Sequence, residues 1–257
     1  MSIVQYIKRA IVATLDSVHP AIWMRASLVL KNRNLEPELW LVPQLLGDGG
    51  MAIDVGANAG VYSTQLARYA PTVHAFEPNP ICLRQLARVL PGRVTVHPCA
   101  LSDHAGSATL RFDPQNTGIG TIEQANQLKN NEGIKKIETA EVEIRTLDSF
   151  GFAAVALIKI DAEGHEESVL GGAGQTLSKS RPSVLVEIEE RHNPGGLSRI
   201  RTLFERMDYV AAALDGGSLR RLDLIEAEGR RPLASAAGVN NFIFMDRVRA
   251  KRLFAIE

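Results

Sequence analysis

Cysteine is scarce in this 257-residue chain: there are two, Cys82 and Cys99. So few thiols exclude a disulfide-stapled scaffold or a cysteine-rich metal site, and they fit buried side chains in a reducing compartment. Net charge is missing as well, since 29 Lys+Arg balance 29 Asp+Glu. Without a basic excess there is no bulk attraction to phosphate backbones, and no nucleic-acid partner is expected. Long apolar runs are also absent. None reaches the roughly 20 residues of a membrane span. The apolar N-terminus is interrupted by Lys8, Arg9 and Asp16, with no clean small-residue cleavage site after it. These absences together place the chain in the cytoplasm.

What is present is an ordinary globular balance, 45% hydrophobic and 23% charged, enough for a full core. Residues 3–30 carry apolar side chains at helical spacing, broken by Pro20. They predict a helical extension over 1–49 that packs on the main domain; Lys8, Arg9 and Arg25 beside Trp23 also allow a weak membrane-surface contact. From residue 51 the rhythm changes. Short apolar runs predict strands at Met51–Val55, Thr72–Phe76, Val94–Cys99, Val155–Ile160, Val184–Ile188 and Tyr209–Leu214. Helical segments are expected near 60–70, 80–90 and 165–178. Strand–helix–strand repetition means parallel pairing with right-handed crossovers, hence a doubly wound α/β sheet. Asn241–Met245 reads as its last strand, with Ser218–Leu224 as a possible hairpin partner. Between Ala108–Phe112 and Glu141–Arg145 lies a polar stretch, 113–138, of the length expected for a lid or binding loop.

Three places carry chemistry. In the first, Ile53-Asp54-Val55-Gly56-Ala57-Asn58-Ala59-Gly60, a strand runs through glycines into a helix. That turn allows close approach of a ligand and offers free N–H groups. In the second, Phe76-Glu77-Pro78-Asn79, Glu77 ends the next strand, where a carboxylate can accept hydrogen bonds from both ribose hydroxyls of a nucleoside cofactor. The dinucleotide fingerprint G-x-G-x-x-G is not met, because Asn58 stands at the second glycine. That counts against NAD(P) without removing it as an alternative. The third place is Lys159-Ile160-Asp161-Ala162-Glu163-Gly164-His165-Glu166, a buried strand leading into a dense acidic turn. Asp161, Glu163 and His165 offer acid–base groups or a helix N-terminus stocked with acids. No second histidine stands at ligand spacing, so no metal is expected. His74 reads as structural and His192 as a turn residue.

These motifs, in this order, resemble the FkbM-type family of S-adenosylmethionine (SAM)-dependent methyltransferases. Asp54 to Gly60 match D-V-G-A-N-x-G, Phe76 to Pro80 match F-E-P-N-P, and Lys159 to Glu166 match K-I-D-x-E-G-x-E. Ala100-Leu101-Ser102-Asp103, Thr146-Leu147-Asp148, Pro182 to Glu187 and Asn241 to Phe244 extend the likeness over roughly residues 50–246. The resemblance implies a Rossmann-like methyltransferase sheet with an antiparallel last strand, followed by a tail at 247–257. It also implies SAM as cofactor. Asp54, Gly56, Ala57 and Asn58 would hold its methionine end and Gly60 would start the helix below. Glu77 and Pro78 would meet the ribose, Ala100, Leu101 and Ser102 would flank the adenine, and Asp161 would lie beside the methyl donor. Glu163, His165 and Glu187 become the catalytic candidates with Asp161. The implied acceptor is a small molecule, most readily a hydroxyl of a sugar or natural product. A SAM-binding protein without catalysis remains the alternative in another class.

Overall fold

A computed structural model describes residues 35–124, 126, 128, 136–229 and 241–254. The expected helix over 3–30 lies outside the described residues. A 3-10 turn at Pro37–Leu41 runs into α1 (Val42–Leu46). The sheet then begins: β1 (Met51–Val55), α2 (Val61–Leu66), β2 (Val73–Phe76), α3 (Pro80–Val89) and β3 (Val94–His97). Asn79 caps α3 through its side-chain oxygen, which accepts from Ile81 N at 2.9 Å, and Pro80 opens the helix where its missing N–H costs nothing.

The chain next leaves the main sheet. β4 (Ala100–Leu101), β5 (Gly106–Phe112), β6 (Gly120–Thr121) and β7 (Glu138–Arg145) form a second, four-stranded sheet in the order β4-β7-β5-β6. It returns as β8 (Val155–Ile160), all six residues buried, then α4 (Glu166–Gly171), α5 (Gly174–Ser180), β9 (Ser183–Glu187) and α6 (Gly196–Arg206). β10 (Tyr209–Asp215), β11 (Ser218–Arg221), α7 (Leu222–Ala227), β12 (Asn241–Asp246) and α8 (Arg247–Phe254) complete it. The main sheet has the order β11-β10-β12-β9-β8-β1-β2-β3. Pairing is parallel from β3 to β9, and β12 is antiparallel to both neighbours.

Four sequence expectations are corrected. Ser218–Arg221 pairs with β10, not with the last strand, because β12 inserts between β10 and β9 and closes the apolar gap there. The expected helix at 165–178 is two helices: a Cβ on Gly172 would lie 2.0 Å from Ser102 O, so the chain bends where the second sheet presses in. The third strand stops at His97, since Ala100–Leu101 pairs with β7 in the second sheet. Residues 247–254 form a docked helix instead of a tail. Ala250 is fully buried, and Arg249 Nη1 donates to Leu45 O, Ala156 O and Ser183 Oγ at 2.7–3.0 Å.

Strand alternation separates two cores. Ile53, Val55, Ile158, Ile160, Val184 and Val186 face Val169, Leu177, Ile200 and Phe204 on one side. Ala52, Leu157, Leu185, Ile243 and Met245 face Leu39, Val42, Leu45 and Leu66 on the other. Residues 37–46 are therefore a layer of the core. Asp54 and Lys159 share the second side and stand directly opposite one another across β1 and β8.

Candidate active site

The carboxyl ends of β1, β2 and β8 open into a cleft of about 660 Å³, mouth included. Its floor is a backbone arrangement that tolerates no side chain. Gly56 has φ +78°, and a Cβ there would sit 1.9 Å from Asp161 O. The glycine thus brings the turn after β1 against the turn after β8, and both edges of the cleft depend on it. Gly60, at φ +83°, serves packing: its absent Cβ leaves room for Leu86 and Leu90 of the neighbouring helix.

Glu77 is 5% exposed and lines the cleft. Its Oε2 accepts from Asn58 N at 2.7 Å and its Oε1 from Asn79 N at 2.8 Å. Burial pushes its carboxyl up to about 7 against those two amides. Each oxygen keeps a further lone pair, and among the described residues no side chain takes it. This is a deeply buried, aimed carboxylate with spare acceptor capacity, and it fits the paired hydroxyls of a ribose. Asn58 is held in a left-handed conformation, φ 45°, and its Oδ1 accepts from Thr117 Oγ1 at 3.2 Å, tying the far wall to the floor.

That far wall is the described part of the 113–138 stretch. Thr121 Oγ1 and Asn126 Nδ2 each donate to Glu163 O at 2.9 Å. Glu163 has φ 49°, a strained value for a residue with a Cβ, and this double clamp holds it there. Glu166 turns inward, 2% exposed, and accepts from Gly164 N at 2.9 Å and Ala162 N at 3.3 Å. The acidic turn is therefore compact. Burial, with the charges of Asp161, Glu189 and Glu187, lifts Glu163 to about 9.

Behind the turn lies Lys159, 1% exposed. Its Nζ is 4.0 Å from Asp161 Oδ2, 3.8 Å from Glu187 Oε2 and 5.0 Å from the centre of the Tyr62 ring. Burial raises Asp161; Lys159 opposes that, and a hydrogen bond with Glu187 lowers it further. Burial and the Asp161 charge push Glu187 up to about 8. Tyr62 OH and Asn241 Nδ2 donate to Glu36 Oε2 at 2.8 and 3.1 Å, closing the cluster from below.

With this geometry in place, comparison with known proteins is decisive. The profile of the Methyltransferase FkbM domain matches residues 54–211. The chain belongs to the FkbM methyltransferase family. Two relatives are the 31-O-demethyl-FK506 methyltransferase FkbM of Streptomyces tacrolimicus and the methyltransferase sdnD of Sordaria araneosa. The first is 32% identical over 199 residues, 65% of this chain and 75% of that one. The second is 30% identical over 187 residues, 60% of this chain and 71% of that one. A solved FkbM methyltransferase from Methylobacillus flagellatus KT shares the fold, with a TM-score of 0.51 and 19% identity. The match spans 77% of this chain and 44% of that longer one. The chain is a SAM-dependent methyltransferase.

Within the FkbM cleft, Gly56, Asn58, Glu77, Pro78, Ala100, Leu101, Asp161, Glu163 and His165 all contribute to the lining. The remaining candidates stand back from it. Asp54, 1% exposed, accepts from Ser63 Oγ at 2.5 Å and is pushed up to about 6 by burial. Ala57 packs against Ala75 and Leu86. Ser102 Oγ is 2.9 Å from His165 Nε2, while His165 Nδ1 is 3.1 Å from Glu123 Oε2. Both ring nitrogens of His165 are thus engaged, one by a hydroxyl and one by a carboxylate, which ties the turn to the segments flanking the second sheet. Glu187 reaches the site only through Lys159 and Asp161. Sequence reasoning missed Glu36, Tyr62, Lys159 and Asn241 as members of the cluster. Lys159 alone carried a signal, a charge inside an otherwise apolar strand.

Proposed function

We propose that this methyltransferase methylates a hydroxyl oxygen of a small acceptor, a sugar or natural product, and that the Asp161–Glu187 carboxyl pair receives the hydroxyl proton through Asp161. The observation that carries this reading is the pair itself: two partly exposed carboxyls, 4.0 and 3.8 Å from one buried ammonium, with one member lining the cleft. The relative named for 31-O-demethyl-FK506 supports oxygen on a natural product as the acceptor class. Glu77 and Pro78 would hold the nucleoside ribose, Ala100 and Leu101 the adenine, and Gly56 and Asn58 the methionine end. SAM, when bound, supplies an activated methyl carbon: an acceptor lone pair bonds to it as the carbon–sulfur pair leaves with sulfur. The protein then has two tasks, alignment of the acceptor and removal of its proton. Burial that raises both carboxyls makes the pair basic enough to take a proton near neutrality.

The test is turnover of SAM to its demethylated product over a panel of hydroxylated acceptors, in wild type and Asp161→Asn. Asp161→Asn should lower kcat by about 100- to 10,000-fold. Because the base must be unprotonated, wild-type kcat should climb with pH and level off above about 8, where Glu187 ionises. Full activity of Asp161→Asn, or transfer confined to nitrogen or carbon acceptors, would defeat the proposal.

A further inference from the structure

The loop after β9 brings a second group of side chains to the acceptor end of the cleft. His192 Nε2 lies 2.7 Å from Glu189 Oε2 and 3.9 Å from Glu163 Oε2. All three offer a ligand atom within 4.8 Å of the others. The His192 side chain is 6% exposed, and its buried Nε2 has no hydrogen-bond partner of acceptable geometry. A buried ring nitrogen pressed toward two carboxylates without a hydrogen bond is an unsatisfied polar group. It is satisfied when a cation sits between the three atoms. Ligands at roughly 2.0–2.2 Å from a metal stand about 3–4 Å from each other; Glu163 and His192 already stand so, at 3.9 Å, and Glu189 and His192, at 2.7 Å, part slightly to admit the ion.

The frame around them is rigid. Glu163 is clamped at its carbonyl by Thr121 and Asn126. A Cβ on Gly164 would already touch His192 Cβ at 3.4 Å, so the two loops are in close contact. Arg191 pairs with Glu189, Nε to Oε2 at 2.6 Å and Nη2 to Oε1 at 2.8 Å, and fixes that carboxylate. Carboxylates of Asp161, Glu163, Glu187 and Glu189 crowd this end of the cleft, and a divalent charge relieves their repulsion.

We propose that Glu163, Glu189 and His192 form a divalent transition-metal site whose open coordination positions take an oxygen of the methyl acceptor. One imidazole with two carboxylates suits Mn²⁺, Fe²⁺ or Zn²⁺ over Ca²⁺ or Mg²⁺. The cation deepens the proposed function by selecting acceptors with an oxygen placed to coordinate, and its acceptor role rests on that reading; the site itself does not.

Titration of the full chain with MnCl2, followed by calorimetry and by electron paramagnetic resonance, tests the site without turnover, with ZnCl2 as a second probe. The expected result is one Mn²⁺ per chain, bound at least about tenfold more weakly by both His192→Ala and the size-conserving Glu189→Gln. Circular dichroism and SAM binding report that each variant is folded. Absence of saturable binding of either ion to wild type overturns the proposal, as does unchanged affinity in both variants. SAM binding by wild type is read separately. Failure there with Mn²⁺ binding intact defeats the methyl-transfer reading and leaves the cation site standing.

Discussion

The two ends of the cleft are built on opposite principles. Under β1 and β2, every carboxylate has donors of its own: Asp54 has Ser63, and Glu77 has the amides of Asn58 and Asn79. All of these residues lie between positions 54 and 79. Under β8 and β9, carboxylates face one another across a single buried ammonium, and the side chains come from residues as distant as Glu36 and Asn241. The first arrangement fits recognition of one constant ligand. Charge crowding in the second separates the protonation behaviour of neighbouring acids, which is what proton transfer and cation binding require. The difference teaches that one end of a cleft can be a local motif while the other is assembled by the whole fold.

The largest expected effect that would break this contrast is at Lys159. Lys159→Met leaves Asp161 and Glu187 without their buried counter-charge; since both carboxyls are partly exposed, the cost should stay below that of a fully buried pair, up to about 3 kcal/mol of stability at neutral pH. The loss should shrink as pH falls and both carboxyls become protonated. Urea unfolding of the variant at pH 5 and pH 8 measures it, and equal stability to wild type at both would show that the acids do not depend on the ammonium.

At the other end, Glu77→Ala should weaken SAM by about 1.5–3 kcal/mol, roughly tenfold to a hundredfold, through lost charge-assisted hydrogen bonds. The fold should stay intact. Since burial holds the Glu77 carboxyl near 7, its ionised form gains population as pH rises from 6 to 8, and SAM affinity should rise with it. Calorimetry on Glu77→Gln should give a flatter profile. An unchanged pH dependence would move the ribose elsewhere.

The smallest effect sharpens the boundary between the two ends. Thr121→Val removes one of the two donors to Glu163 O, a bond worth about 0.5–1.5 kcal/mol. Acceptor KM should rise while SAM affinity stays constant. A parallel loss of both would mean that the wall over the cleft serves the cofactor as much as the acceptor.

How much of this was legible follows the same division. The strands at 51–55 and 155–160 matched their apolar runs, because a strand buried on both faces must be apolar throughout. Asp54 and Lys159 are the exceptions, and they stand opposite one another across β1 and β8. The pairing of Ser218–Arg221 was misjudged: its partner is the adjoining β10, across the Gly216–Gly217 turn, and the last strand lies on the other side of β10. His165 stood alone in the sequence; Ser102 and Glu123, just past two strands of the second sheet, meet its two nitrogens.

By itself the sequence determined the alternation of strands and helices, the glycine turn and the carboxylate at the end of β2. These depend on residues a few positions apart, so local sterics and hydrogen bonding suffice. Tertiary structure alone decided which acids meet. Glu36, Asp161, Glu187 and Asn241 come together around Lys159 because β1, β8, β9 and β12 lie near one another in one sheet and Tyr62 packs over them. Low dielectric then couples their charges, and neither the order of residues nor their spacing along the chain records that coupling.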